Sequence, residues 1–104
     1  MTLIQLEYII ALDTYRSYVS AAEECFVTLP TLSMHIQKLE DDLELKLFDR
    51  TKLPVATTEI GGIIVEQARL ILKESSRIKE LVSGYKREVS GNLKMGVIPR
   101  AVVF

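Results

Sequence analysis

The 104-residue sequence contains one cysteine, Cys25, and one histidine, His35. A lone cysteine closes no intramolecular disulfide, and one Cys with one His cannot complete a structural zinc site, so disulfide scaffolds and zinc fingers are excluded. No apolar run approaches the roughly 18 residues of a membrane span. The N-terminus, Met1-Thr2-Leu3-Ile4-Gln5-Leu6-Glu7, carries no basic leader. A soluble chain is expected, with the cytoplasm as its location and no membrane partner. There is no glycine-rich phosphate loop, no second histidine for a metal and no nucleophile with a plausible partner, so neither an enzyme nor a metal or other cofactor is expected. Proline and glycine are scarce before residue 54, where Pro30 stands alone, and helices are free to dominate the first fifty residues.

An excess of positive charge is also missing. The formal net charge of −1 argues at first sight against nucleic acid, because phosphate neutralisation by Lys and Arg supplies most non-specific affinity. The balance conceals an asymmetry: residues 1–57 hold 5 basic and 9 acidic side chains, a net of −4, and residues 58–104 hold 8 and 5, a net of +3. What is abundant is apolar residues, at 48%, too many for a disordered segment and enough for one compact domain plus a spare element.

Thr2 with Gln5 three positions on is a capping-box pattern, and Leu3, Leu6, Ile9, Ile10 and Leu12 follow at helical spacing, predicting a helix that ends near Thr14. Ser17 is the next N-cap; Val19, Ala21, Ala22 and Cys25 form a short second helix, with a break at Phe26-Val27. Thr28 caps a third helix with Pro30 in its first turn. Its buried stripe is Leu32, Ile36, Leu39 and Leu43, and the opposite face carries Thr31, Met34, His35 and Lys38. The period then changes from helical to alternating at Lys46–Arg50 and Val55–Thr57, which predicts a two-stranded hairpin. The fold class is therefore mainly α: a winged helix-turn-helix of three helices and a β-hairpin wing, followed by a long helix from Thr58 to Glu88. At about 1.5 Å per residue that helix is roughly 46 Å long. Gly61, Ala68, Ser75, Val82 and Val89 fall at position a of a seven-residue repeat, and Ile64, Ile71, Ile78 and Tyr85 at d. Such a strip is too apolar for a monomer, and a homodimer is expected through Ile64, Ala68, Ile71, Ser75, Ile78, Val82 and Tyr85, Ser75 setting register or close approach. Residues 93–99 alternate weakly and then turn apolar, like a strand entering a buried sheet, and a longer protein is expected beyond Phe104. The organisation reads as 1–58 winged domain, 59–89 dimerisation helix and 90–104 the start of an effector domain.

In a helix-turn-helix the second helix projects a polar face into the major groove while the first lies across the backbone. Thr28, Thr31 and Ser33 place hydroxyls at the N-terminus of that helix, where amides and dipole also favour phosphate. His35 and Lys38 lie further along the same face; a solvated surface accounts for both equally well. Arg50 and Lys52 suit a wing that grips phosphate or the minor groove, the alternative for both being a surface salt link with Asp49 or Glu59, worth about 0–1 kcal/mol. Asp41, Asp42 and Glu44 should face away from DNA or toward another subunit's basic surface, and Cys25 reads as a packing residue rather than a redox sensor.

The order of Ala21-Ala22, Thr28-Leu29-Pro30-Thr31-Leu32-Ser33, Leu39-Glu40, Leu47-Phe48-Asp49-Arg50 and Thr58-Glu59-Ile60-Gly61 resembles the N-terminal DNA-binding domain of LysR-type transcriptional regulators. Leu6-Glu7-Tyr8, Lys38-Leu39-Glu40-Asp41, Glu66-Gln67-Ala68-Arg69 and the run from Ser90 to Pro99 are similar to the peroxide-responsive branch of that family. The resemblance implies a sequence-specific, DNA-binding transcriptional regulator. Its double-stranded DNA partner would be a palindromic operator, held by a dimer, or a tetramer in the longer protein. It further implies that Thr28, Leu29, Pro30, Thr31 and Ser33, with Met34, His35 and Lys38, form the recognition helix and that Arg50 and Lys52 belong to the wing. Two positions depart from the family. Leu29 replaces a base-reading Gln and offers only an apolar contact, such as one to a thymine methyl; Glu44 stands where a glycine normally follows the recognition helix. These departures, with the acidic first half, leave a second reading: a dimeric protein-interaction module with weak or lost DNA binding.

Overall fold

The computed structural model describes residues 1–91; the strand expected over residues 93–99 lies outside them. The elements run α1 (Leu3–Tyr15), α2 (Tyr18–Glu24), α3 (Leu29–Leu43), β1 (Phe48–Asp49), β2 (Ala56–Thr57) and α4 (Glu59–Gly91). Each of the first three starts on the cap its sequence announced. The Gln5 amide N–H donates to Thr2 Oγ1 while Gln5 Oε1 accepts from the Thr2 N–H, the Ser20 N–H donates to Ser17 Oγ, and the Thr31 N–H donates to Thr28 Oγ1. The stops are less regular. Arg16, Phe26 and Glu44, after α1, α2 and α3, all sit in the left-handed region with φ of 55°, 58° and 56°, where glycine is usual and L side chains are strained.

The three helices pack on one another around Leu6, Ile9 and Leu12 of α1, Ala21 and Ala22 of α2, and Leu32, Ile36 and Leu39 of α3, all buried. Leu43, the last residue of the α3 stripe, is only partly covered. Burying a large aliphatic side chain contributes about 1.5–3 kcal/mol, so this cluster supplies most of the driving force.

The wing is shorter than the alternating sequence predicts, with one antiparallel ladder pairing Phe48 with Thr57 and Asp49 with Ala56. The flanking backbone groups bond elsewhere. The Val55 N–H donates to the Arg16 carbonyl at the end of α1, the Leu47 N–H to the Glu40 carboxylate, and the Thr58 N–H to the Leu47 carbonyl. The strand ends are thus tied to three helices, and Leu47, Phe48 and Val55 complete the core from below.

α4 begins on Thr58, whose hydroxyl accepts from the Gly61 N–H and donates to the Lys46 carbonyl. Gly61, Val65, Ala68 and Leu72, at spacings of four, three and four, turn toward the domain's own core. A Cβ on Gly61 would stand 2.1 Å from the Leu47 carbonyl oxygen, so the helix passes directly over the wing only because that residue is glycine. The heptad assignment is corrected here. Gly61 and Ala68, expected at seam positions, are taken up inside the chain; Ala68 is 1% exposed and has no surface left for a partner. Ile64 and Ile71 are partly buried against the same core and line a cleft of about 170 Å³ with Met1, Leu6, Leu43 and Ala68. The first compact unit is Met1–Leu72, and a second begins at Lys73.

Candidate nucleic-acid interface

α2, its turn and α3 present the outer face of α3. Pro30, Met34 and Lys38 recur every four residues on that face and are exposed, with Thr31 beside them and Leu29 at the tip, 41% exposed. Thr28 and Thr31 engage each other, the Thr28 hydroxyl donating to Thr31 Oγ1 at 2.8 Å. Ser33 is partly buried. His35 does not stand on the outward face, which corrects the expectation from spacing. Its ring packs edge-on against Tyr8 of α1, centroids 5.4 Å apart at 69°, with Nδ1 buried and unpartnered. One helical step of 100° from the buried stripe places position 35 at the α1 boundary.

Arg50 leaves β1 and reaches back to α3, and neither Asp49 nor Glu59 is its partner. Its guanidinium donates to Glu40 Oε1 at 3.3 Å and to Gln37 Oε1 at 3.1 Å, and it lies over the Tyr18 ring at 5.4 Å. Glu40 is 2% exposed. Its second carboxylate oxygen accepts from the Leu47 and Phe48 amides at 2.7 and 3.2 Å. One buried carboxylate therefore fixes the wing's first strand to the recognition helix, and the charge is tolerated because all its partners are donors. Burial pushes the Tyr18 phenol up, with Arg50 pulling it the other way. Sequence reading found Arg50 but not Glu40, Gln37 or Tyr18. The signal available was Glu40 itself, an acid four-fifths of the way along α3 on the edge of its apolar stripe.

Lys52 and Leu53 are exposed at the wing tip, Leu53 at 91%. The turn before them is an Asx turn: Asp49 Oδ1 accepts from the Thr51 N–H at 3.0 Å and from its hydroxyl, which holds the Asp49 carboxyl below the usual range. Asp41 accepts from the Gln37 amide, and Asp42 lies 3.8 Å from the Met1 amine. Behind the interface, Asp13 joins three elements, accepting from Thr57 Oγ1 at 2.6 Å and from Arg69 of α4 at 3.3 Å. Cys25 is partly buried against the core, and burial pushes its thiol up, as suits packing rather than reactivity.

The second part of α4 presents Ile78 (62% exposed), Leu81 and Val82, with Ser75 and Tyr85 partly covered. Ile63 and Leu70 are likewise exposed, seven residues apart, on a face of α4 that the heptad reading left out. Among the described residues no helix is long and apolar enough to cross a membrane, and no group of three His, Cys, Asp or Glu is placed to hold a metal.

Three packed helices, a two-stranded wing clamped to the third and a long following helix define a winged helix-turn-helix regulatory domain. The chain belongs to the family of bacterial regulatory helix-turn-helix proteins of lysR type, whose pattern matches residues 3–62. It is 42% identical over 99 residues to a hydrogen peroxide-inducible genes activator of Haemophilus influenzae, which covers 95% of this chain and 33% of that protein. Among solved structures it is similar to a full-length OxyR variant of Pseudomonas aeruginosa, with 42% identity, 81% of this chain, 28% of that one and a TM-score of 0.77. It is also similar to the BenM DNA-binding domain in complex with catB site 1 DNA, with 35% identity, 88% of this chain, 96% of that one and a TM-score of 0.72. The chain thus spans about a third of the length of the curated relatives it matches.

Proposed function

We propose that this chain is the DNA-binding part of a transcriptional regulator, presenting two copies of α3 to a palindromic operator through a homodimer, in the cytoplasm and without catalysis of its own. The observation that carries the reading is the outward face of α3 set beside a wing fixed to the same helix, in a fold that matches nearly the whole of a domain solved on DNA. In this reading Thr28, Leu29, Pro30, Thr31, Ser33, Met34 and Lys38 meet the groove and its flanking phosphates. Lys52 and the exposed edge of Arg50 meet the backbone beside it, and His35 acts by seating α3 on α1. The division into a 1–58 winged domain, a 59–89 dimerisation helix and a following effector domain belongs to the same proposal. Its seam is Ile64, Ile71, Ser75, Ile78, Val82 and Tyr85; Ala68, taken up in the domain's own core, is left out of it.

Duplex binding measured across a salt series is the test. Affinity should fall steeply and linearly in log–log form as salt rises, through release of counterions from contacted phosphates. No binding even at low salt would leave the dimeric interaction module as the reading. By the name of its Haemophilus influenzae relative the regulator responds to hydrogen peroxide, and operator occupancy with and without peroxide in the full-length protein tests this.

A further inference from the structure

The fold consumes most of the groups on α3 that read bases. Gln37, the one amide on the helix, donates to Asp41 at 3.0 Å and accepts from Arg50. Arg50 is held by Glu40 and Gln37, and His35 is turned against Tyr8. The Thr28 hydroxyl is spent on Thr31. Beside the part-covered Thr31 and Ser33 hydroxyls, the first two turns project carbon and thioether: Leu29, Pro30 and Met34, the last 63% exposed. Lys38 stands one turn beyond.

Guanine, adenine and cytosine are told apart in the major groove by donors and acceptors, whereas the C5-methyl group of thymine is its one apolar feature. Leucine and methionine cannot pair with the former and fit the latter. We infer that this chain selects its DNA by the C5-methyl groups of pyrimidines in the major groove, read by Leu29 and Met34, with Lys38 anchoring phosphate. The inference rests on the DNA-binding reading above and adds the chemical feature that is recognised.

The experiment uses the 104-residue chain and the duplex it selects from a randomised pool. Each thymine of that duplex is replaced singly by deoxyuridine, which removes the methyl and leaves every donor and acceptor in place. One or two positions per half-site should lose about fourfold in affinity, the value of one buried methyl-sized group, with an unchanged salt slope. At those positions a 5-methylcytosine pair should bind better than a cytosine pair, which separates the methyl from the base that carries it. Leu29→Ala and Met34→Ala, both at exposed sites and checked for helicity by circular dichroism, should each bind thymine and uracil duplexes equally at the position that residue reads. A selected sequence indifferent to uracil throughout, or to cytosine methylation at the sensitive positions, overturns the methyl reading while DNA binding stands. Uracil sensitivity that survives both variants overturns the assignment to Leu29 and Met34. Failure to retain any duplex at low salt removes the DNA-binding reading and this inference together.

Discussion

Residues 1–72 and the stretch from Lys73 to Gly91 carry apolar residues at the same helical spacing and use them differently. In the first, Leu6, Ile9, Leu32, Ile36, Val65 and Ala68 disappear into one core, and backbone groups that leave the short wing find partners on α1, α3 and α4. In the second, Ile78, Leu81 and Val82 stay exposed. α4 belongs to both, so one repeat serves as a folding signal at Gly61 and Ala68 and, in the proposed dimer, as an association signal at Ile78. A seven-residue repeat marks an apolar stripe; it does not say whether the stripe is covered by the same chain or another.

The comparison breaks most sharply at Gly61. Gly61→Ala places a methyl against the Leu47 carbonyl oxygen and should destabilise residues 1–72 by about 3 kcal/mol in urea denaturation, the upper part of the overpacking range. Glu40→Ala should cost about 2–3 kcal/mol, because the Leu47 and Phe48 amides lose their acceptor in a buried site. Arg50→Ala should cost less, since the guanidinium is partly exposed and screened.

In the second region the readout changes. Ile78→Asp should leave the thermal transition of residues 1–72 in place and raise the dimer dissociation constant at least tenfold by sedimentation. Ile71→Asp should damage the fold as well, because Ile71 packs on the domain core. A dimer that survives Ile78→Asp would move the association face toward Ile63 and Leu70.

Smaller effects sharpen the picture of the first region. Glu44→Gly should stabilise it by about 1 kcal/mol, by relieving the left-handed backbone at the end of α3. Smallest is the wing turn. The folded Asp49 carboxyl lies below its unfolded value, so its contribution is present above the ordinary carboxylate pKa and fades as pH falls through the lowered one. Protection of the Thr51 amide, measured as exchange relative to its intrinsic rate, should fall over that acid window, and Asp49→Ala should remove the pH dependence of the protection.

Much of this was legible locally. Thr2, Ser17 and Thr28 announced three helices because a cap is a contact within four residues, and Leu32, Ile36 and Leu39 announced a buried face because helical period maps onto orientation. Contacts that join distant segments carry no such mark. Arg50 reads as a wing cation, free or paired with the nearby Asp49 or Glu59, until Glu40, ten residues earlier, closes on it. His35 reads as outward until Tyr8 of α1 covers it, and Asp13 shows no sign of Thr57 and Arg69, 44 and 56 residues away.

By itself the sequence determined the helix-turn-helix, the wing's location, the long helix and the family, since each rests on propensity, capping and period within a short window. Only the tertiary structure decided which polar groups are spent on the fold and which face of α4 is already covered. The reason is physical. Burial and hydrogen bonding are properties of pairs brought together by folding, and the exposed remainder is known only once those pairs have formed.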